Sequence, residues 1–164
     1  MSSTVWPRVV VVLATAVDGL LAGASLDQSV KQLPARHRIG VLAFSAYSRA
    51  SDQANGVAWY AALGLGGAVL TLAAAISGLA VGAPAAQRWP VLVAGGLAVA
   101  HSVTTARAAP INFSQRTVGD DEAALRDVFD RFERWQTARA ALQLATFIAM
   151  IWTLAATGRT SAHT

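Results

Sequence analysis

Two ionisable residues stand inside long apolar runs of this sequence, and they are the first candidates for chemistry. Asp18 interrupts a run that begins at Val9, and His101 interrupts a run that follows Pro90. A carboxylate at the centre of a bilayer costs about 2.5 to 3.5 kcal/mol on insertion scales, so it usually faces the interior of a bundle. Asp18 and His101 therefore predict either a catalytic pair that moves protons, or an internal ion pair or hydrogen bond without further function.

A second group of polar and aromatic residues falls near the ends of these apolar runs. An arginine fork suits a carboxylate or an enolate oxygen, and aromatic rings either contact a flat ligand or anchor at the membrane interface. Trp135 precedes Arg139 by four residues, which predicts that the two share one helical face. We expect a substrate- or ligand-binding cavity lined by Trp59, Tyr60, Arg107, Asn112, Arg116, Trp135 and Arg139.

Residues that could hold a metal or a cofactor are few. The chain has no cysteine and three histidines, of which His37 falls in a connection and His163 in the C-terminal tail. The sequence therefore does not supply a second histidine within a span that could serve, with His101, as the other axial ligand of a haem. Neither the His-Glu-x-x-His nor the Glu-x-x-His spacing of metal sites occurs. The sequence predicts no metal site and no cofactor.

Composition defines the kind of protein that must position these residues. Of 164 residues, 54% are hydrophobic and 13% charged, whereas a soluble domain carries roughly 25% charged residues. A bilayer core about 30 Å thick needs about 20 apolar residues in a helix. Four segments approach this length, at about 9–26, 57–81, 91–109 and 137–156.

These segments predict an all-α fold, a four-span antiparallel transmembrane helix bundle that forms one integral membrane domain over 1–164. The connections at 27–56 and 110–136 are long, and the one at 82–90 is short. We expect a short interfacial helix at 39–47 in the first long connection. In the second, Asp120, Asp121 and Glu122 precede apolar positions at helical spacing, which predicts an amphipathic helix before the last span.

The spans also predict where the two buried ionisable residues lie relative to each other. Asp18 and His101 each lie about eight residues from the end of a span that runs toward the long connections. At a rise of 1.5 Å per residue, both side chains would lie roughly 12 Å below that face. The sequence therefore predicts a polar cavity that opens toward the long connections.

Charge indicates lipid rather than nucleic acid as the surrounding partner. The net charge is +4, and the cations flank apolar runs without forming a basic tract. Three Lys or Arg residues fall on the side of the short connection and ten on the other. The positive-inside rule then predicts a plasma (inner) membrane protein whose long connections are cytoplasmic.

Two features of the first span leave alternatives open. Arg8 followed by an apolar run and the small residues 22–24 resembles a signal peptide, although Asp18 inside the run argues against one. Gly19 and Gly23 have the G-x-x-x-G spacing, which fits helix packing within one subunit or a homo-oligomer interface.

Several short motifs resemble the anthrone oxygenase-like family of small four-helix integral membrane proteins. They are the Ala-Pro-Ile-Asn run at 109–112, the Arg-Trp-x-x-x-Arg run at 134–139, and the stretch 33–56 with its Leu-Pro-Ala-Arg start and Asn-Gly end. The resemblance covers most of the chain. It implies oxygenation of a lipophilic anthrone-type substrate by molecular oxygen without an obligatory cofactor.

By this resemblance, a base removes a proton from the substrate and hydrogen-bond donors stabilise the enolate that forms. The base would be His101 or Asp18, and the donors would be Asn112, Arg116 and Arg139. Two other classes stay open: a non-catalytic protein that binds a lipid or a membrane partner, and a small transporter subunit in which Asp18 and His101 form a proton path.

Overall fold

The computed structural model describes residues 5–160, with side chains for residues 8–158. His163 lies outside the described residues. The helices are α1 (Val5–Asp27), α2 (Leu33–Ile39), α3 (Val41–Ala50), α4 (Gly56–Ala80), α5 (Ala85–Val118) and α6 (Glu122–Thr160). π-Helical turns, Gln28–Gln32 and Ser51–Asn55, join α1 to α2 and α3 to α4.

The four long helices α1, α4, α5 and α6 form the predicted all-α antiparallel bundle. They pack in ring order, so that α1 contacts α4 and α6, and α5 contacts the same two helices from the opposite side. Four helical segments are long and apolar enough to cross a membrane: Arg8–Ile39, Val41–Ala80, Ala85–Val118 and Glu122–Gly158. The fold class predicted from hydropathy is confirmed.

The outer surface of the bundle is apolar, as expected for helices in contact with lipid. Leu65 on α4 and Ile148 on α6 expose more than half of their surface, and Val103 on α5 does the same. The interior instead contains many small residues, such as Ala94, Ala98 and Ala140. Without a hydrophobic driving force between helices in lipid, close approach of small residues stabilises their association.

Gly19 allows one such approach within the chain. A Cβ on Gly19 would lie 2.8 Å from Cε2 of Phe147 on α6, whereas nothing lies within 4 Å of a Cβ on Gly23. Of the two glycines in the G-x-x-x-G spacing, Gly19 thus packs inside the bundle.

The connections predicted at 27–56 and 110–136 are almost entirely helical, which corrects the expectation of long loops. We call residues 28–55 and 110–136 the extended end of the bundle. α5 continues through Pro110 to Val118, and α6 begins at Glu122, fifteen residues before the predicted start of the fourth span. The amphipathic segment is therefore part of the last spanning helix, because its apolar face packs on the neighbouring helices of the extended end.

Local residues explain where these helices begin and end. Gly40 has φ of 85°, a conformation that L residues rarely adopt, so it separates α2 from α3 and displaces the predicted 39–47 helix to Val41–Ala50. Asp121 Oδ1 accepts hydrogen bonds from the backbone N–H groups of Ala123 and Ala124, which caps α6.

Aromatic packing and ion pairs hold the extended end together. Phe44 of α3 meets Phe129 of α6 edge to face, with ring centroids 4.9 Å apart. Arg36 of α2 is buried, and its Nη2 donates to Asp130 Oδ1 at 2.9 Å and to Glu133 Oε2 at 2.6 Å. These contacts fasten α2 and α3 to the first half of α6.

Candidate functional site

A cavity of about 210 Å³ lies where the four long helices meet the extended end. An engineered cavity of about 150 Å³ in another protein binds benzene, so this volume suits a ligand of similar size. Half of the fourteen lining residues are polar, but most of the lining surface is apolar, and an apolar surface with placed polar groups is the usual pattern of a ligand site. The lining residues are Leu21, Gln28, Asp52, Val57, Tyr60, Ala61, Gly64, Thr105, Ala109, Asn112, Phe113, Phe132, Arg139 and Gln143.

A regular stripe on α6 presents the polar residues of this cavity. Its members alternate at spacings of three and four residues, so they follow the inward face of a helix packed in a bundle. All are buried: Leu125, Phe129, Phe132, Gln136, Arg139, Gln143, Thr146, Met150 and Thr153. This stripe turns the Arg139 side chain inward, although residues of the same helix on either side of the stripe, such as Trp135 and Ile148, are exposed.

Among the described residues of α6, Arg139 is the only charged residue that lines the cavity. It is 8% exposed, and its Nη2 donates to Gln28 Oε1 at 3.2 Å. Within the described part of the chain, its Nε has no hydrogen-bond partner, and the guanidinium forms no ion pair. A buried cation with one neutral partner is unusual, because burial of an uncompensated charge is expensive.

Gln28 connects Arg139 to an acid on the opposite wall. Gln28 Nε2 donates to Asp52 Oδ2 at 3.2 Å, and Ser48 Oγ donates to the same oxygen at 3.1 Å. Gln115 Nε2 in turn donates to Ser48 Oγ at 3.2 Å. A chain of hydrogen bonds therefore runs from α6 through the π-helical turns to α5.

A parallel set of contacts fixes the predicted residues Asn112 and Arg116. The backbone oxygen of Asn112, which lines the cavity, accepts hydrogen bonds from Gln53 Nε2 at 2.7 Å and Gln115 Nε2 at 2.9 Å. Arg116 is exposed, donates from Nε to Gln53 Oε1 at 2.6 Å, and lies over the Phe113 ring. Arg116 thus supports the cavity wall from outside.

Asp18 lies one helical turn below the cavity-lining Leu21 on α1. It is 1% exposed, and Thr71 Oγ1 of α4 donates to its Oδ2 at 2.6 Å. A Cβ on Gly67 would lie only 2.6 Å from Asp18 Oδ1, so this glycine makes room for the carboxyl group. No ion pair joins Asp18 to a cation among residues 8–158.

His101 occupies the corresponding position on α5, one turn below the cavity-lining Thr105. It is 1% exposed, and neither Nδ1 nor Nε2 has a hydrogen-bond partner in the described residues. Thr105 Oγ1 donates to the backbone oxygen of His101 at 2.8 Å. Neither His101 nor Asp18 lines the cavity itself.

The structure separates the remaining predicted residues from this cavity. Tyr60 lines it together with Asn112 and Arg139, but Arg107 is exposed and Trp59 is 52% exposed. Trp135 is 39% exposed and contributes to a surface groove with Ile111, Arg131, Arg134 and Ala138. Trp135 and Arg139 therefore do not point into the same cavity as expected, because the buried stripe of α6 passes through Gln136 and leaves Trp135 exposed.

Sequence reasoning missed four polar residues of the site: Gln28, Asp52, Thr105 and Gln143. Gln143 was detectable, since it is a polar residue four positions after Arg139 in an apolar segment. Gln28 and Asp52 gave no such signal, because both fall in segments predicted as loops. Their place on the cavity wall depends on the π-helical turns that fold back over the bundle.

No group of three or more His, Cys, Asp or Glu side chains that could hold a metal ion occurs between residues 5 and 160. Fold and cavity together define a helical bundle of the membrane type with an internal, partly polar site. No protein-family model, curated protein or solved structure matches this chain. The resemblance to the anthrone oxygenase-like family therefore stays an expectation from its short motifs.

Proposed function

We propose that this protein is an integral membrane protein that binds a small lipophilic molecule with at least one acceptor oxygen in the cavity. The observation that carries the proposal is the buried Arg139, whose Nε has no partner within the described chain and whose residue lines a mostly apolar space. A ligand oxygen that accepts from this guanidinium would offset the penalty of burying it.

Cavity volume limits the size of this ligand. The space of about 210 Å³ accommodates one ring with short substituents, given that about 150 Å³ suffices for benzene. A three-ring anthrone would extend beyond this volume. The site therefore favours a single-ring ligand in this conformation.

A cavity-filling substitution tests this proposal. Gly64 lines the cavity, and nothing lies within 4 Å of a Cβ built on it, so Gly64→Leu would fill the space without displacing a neighbour of its Cβ. We expect native mass spectrometry and an absorbance spectrum of the protein in mild detergent to reveal a bound ring compound that Gly64→Leu loses. Gly66→Leu is the matched control, because Gly66 also has open space but does not line the cavity. Recovery of lipid alone, equally in all three proteins, would contradict the proposal.

Oxygenase-like chemistry on the bound molecule is the second candidate, and His101 favours it. A buried imidazole without a protein partner in the described residues is available as a base one turn below the cavity. In the reaction implied by the resemblance, a ring methylene loses its two hydrogens and becomes a carbonyl. One atom of O2 becomes the carbonyl oxygen, and the other leaves as water with the two hydrogens. Consumption of O2 in the presence of anthrone, abolished in a folded His101→Ala variant, would support this candidate; no consumption would contradict it.

We further propose that the extended end lies in the cytoplasm, since it holds eight of the 13 Lys and Arg residues, whereas the side of the short connection holds three. Because the chain lacks cysteine, single cysteines can be labelled cleanly. An impermeant thiol reagent applied to intact cells should label Ala85→Cys and not Asp120→Cys. The reverse pattern would invert the proposed orientation.

A further inference from the structure

We infer that the cavity ligand is a monocarboxylate anion, whose carboxylate is the counter-ion of Arg139. This inference rests on the proposed cavity ligand and specifies its chemical class. It goes beyond an acceptor oxygen in general, which a ketone, a quinone or an ester would also provide.

The charge balance inside the cavity supports an anion. Arg139 is buried, yet Asp52, the acid that also lines the cavity, reaches it only through the amide of Gln28. Gln28 uses both ends of its amide for this, accepting from Arg139 and donating to Asp52. A neutral ligand would leave the cation without a direct counter-charge, whereas a carboxylate would supply one.

The free edge of the guanidinium has the right geometry for a carboxylate. Nε has no partner in the described part of the protein, and Nη2 uses one N–H for Gln28. Nε–H and one of the two Nη2–H bonds point along the same edge of the planar group. Two oxygens of one carboxylate can accept this pair of parallel hydrogen bonds, an arrangement that a single ketone oxygen cannot match.

The apolar part of the cavity wall defines the body of the ligand, beside the polar residues Tyr60, Thr105, Asn112 and Gln143. Leu21, Val57, Phe113 and Phe132 offer apolar side chains from four different segments of the chain. They suit a ring or a short branched chain and give no polar partner to a second charge. A small aromatic carboxylate such as benzoate combines this body with the head group that Arg139 requires.

Benzoate and its neutral isostere nitrobenzene are the probes that test this inference. Binding is measured by isothermal titration calorimetry on the full chain in mild detergent at neutral pH. We expect benzoate to bind about tenfold to a hundredfold more tightly than nitrobenzene, the usual contribution of hydrogen bonds to a charged group. Arg139→Gln should remove this preference, and Arg139→Lys, which keeps the charge but not the fork, should retain part of it.

Two further variants make the test specific. Asp52→Asn removes the negative charge that competes for Arg139, so benzoate should bind about threefold to tenfold more tightly. Arg126→Gln alters an exposed arginine of the same helix outside the cavity and should leave both affinities unchanged. Circular dichroism of each variant establishes that it is folded.

The outcomes separate the class of ligand from the existence of the site. Equal affinity for benzoate and nitrobenzene, with both lost in Gly64→Leu, would overturn the carboxylate and leave the cavity ligand in place. Weaker benzoate binding in Asp52→Asn would also overturn the carboxylate inference, since Asp52 would then favour ligand binding instead of competing for Arg139. Binding of neither probe, together with no bound compound in the purified protein, would overturn both proposals.

Discussion

The two ends of the bundle are packed in different ways. At the end with the short connection, small and branched aliphatic residues form one cluster that includes Val10, Ala75, Ala94 and Ala149. At the extended end, aromatic rings and a buried arginine take their place, with Phe44, Phe129 and Phe132 at the centre. The cavity lies between the two clusters. Close packing by small residues ends where the polar side chains begin, and the space left between them is available to a ligand.

Among substitutions that test this difference between the two ends, we expect one in the aromatic cluster to reduce stability most. Phe129→Ala removes a fully buried ring and its edge-to-face contact with Phe44, so it should lower the free energy of unfolding by about 3 to 5 kcal/mol. Chemical unfolding in mixed micelles measures the loss. Hydrogen exchange should rise in α2 and α3 before it rises in α4; a uniform rise would mean that the two clusters unfold as one unit.

The buried arginine of the extended end should have the next largest effect. Arg36→Met keeps an aliphatic chain but removes the hydrogen bonds to Asp130 and Glu133, which should reduce stability by about 2 to 3 kcal/mol. The same unfolding assay measures this change. Arg38→Met is the control, because Arg38 is exposed on the same helix and has no ion pair among residues 8–158. Equal effects of the two substitutions would contradict a specific role for Arg36.

The boundary between the two ends can be tested with a pair of glycines on one helix. Gly67→Ala should destabilise by about 1 to 3 kcal/mol, because the new methyl group meets the Asp18 carboxyl group. Gly64→Ala faces the cavity and should be neutral or stabilising, since alanine is the better helix former. In a double-mutant cycle, Asp18→Ala should relieve most of the stability lost in Gly67→Ala. If the effects of the two substitutions on the free energy of unfolding were simply additive, the two residues would not be in contact.

The smallest effect is expected where α6 emerges at the surface. Asp121→Ala removes the cap of this helix and should cost about 1 kcal/mol. Asp121→Asn preserves a capping oxygen and should be close to the parent protein in thermal unfolding. A loss in both variants would assign the effect to the charge of Asp121 rather than to its hydrogen bonds.

Hydropathy was sufficient to predict the four long helices and the burial of Asp18 and His101, because an apolar run leaves an ionisable residue few positions outside the interior. The partner of Asp18 was not predictable in the same way. Any of several cations could have reached it, and the actual contact is the Thr71 hydroxyl beside a glycine. Hydropathy does not encode such a steric fit between two helices.

The extended end was predicted least well, for a different reason. Pro110 and the polar residues after it are typical of a loop, yet α5 continues because Ala108 and Gln115 are buried on the same inward stripe. One lost backbone hydrogen bond at a proline is offset by tertiary packing along the rest of the helix. Arg139 was correctly singled out, but its neighbours Gln28 and Asp52 lie in segments whose π-helical geometry has no simple sequence signal.

The continuity of α6 has a mechanical consequence. Its 39 residues make a rod of about 58 Å, nearly twice the thickness of the hydrocarbon core. The N-terminal part of this rod, which begins at Glu122, packs within the extended end, and Arg139 lies close to the middle of the rod. A stiff helix transmits tilt and rotation along its length, so a displacement of the extended end would move the Arg139 guanidinium relative to the other helices that line the cavity.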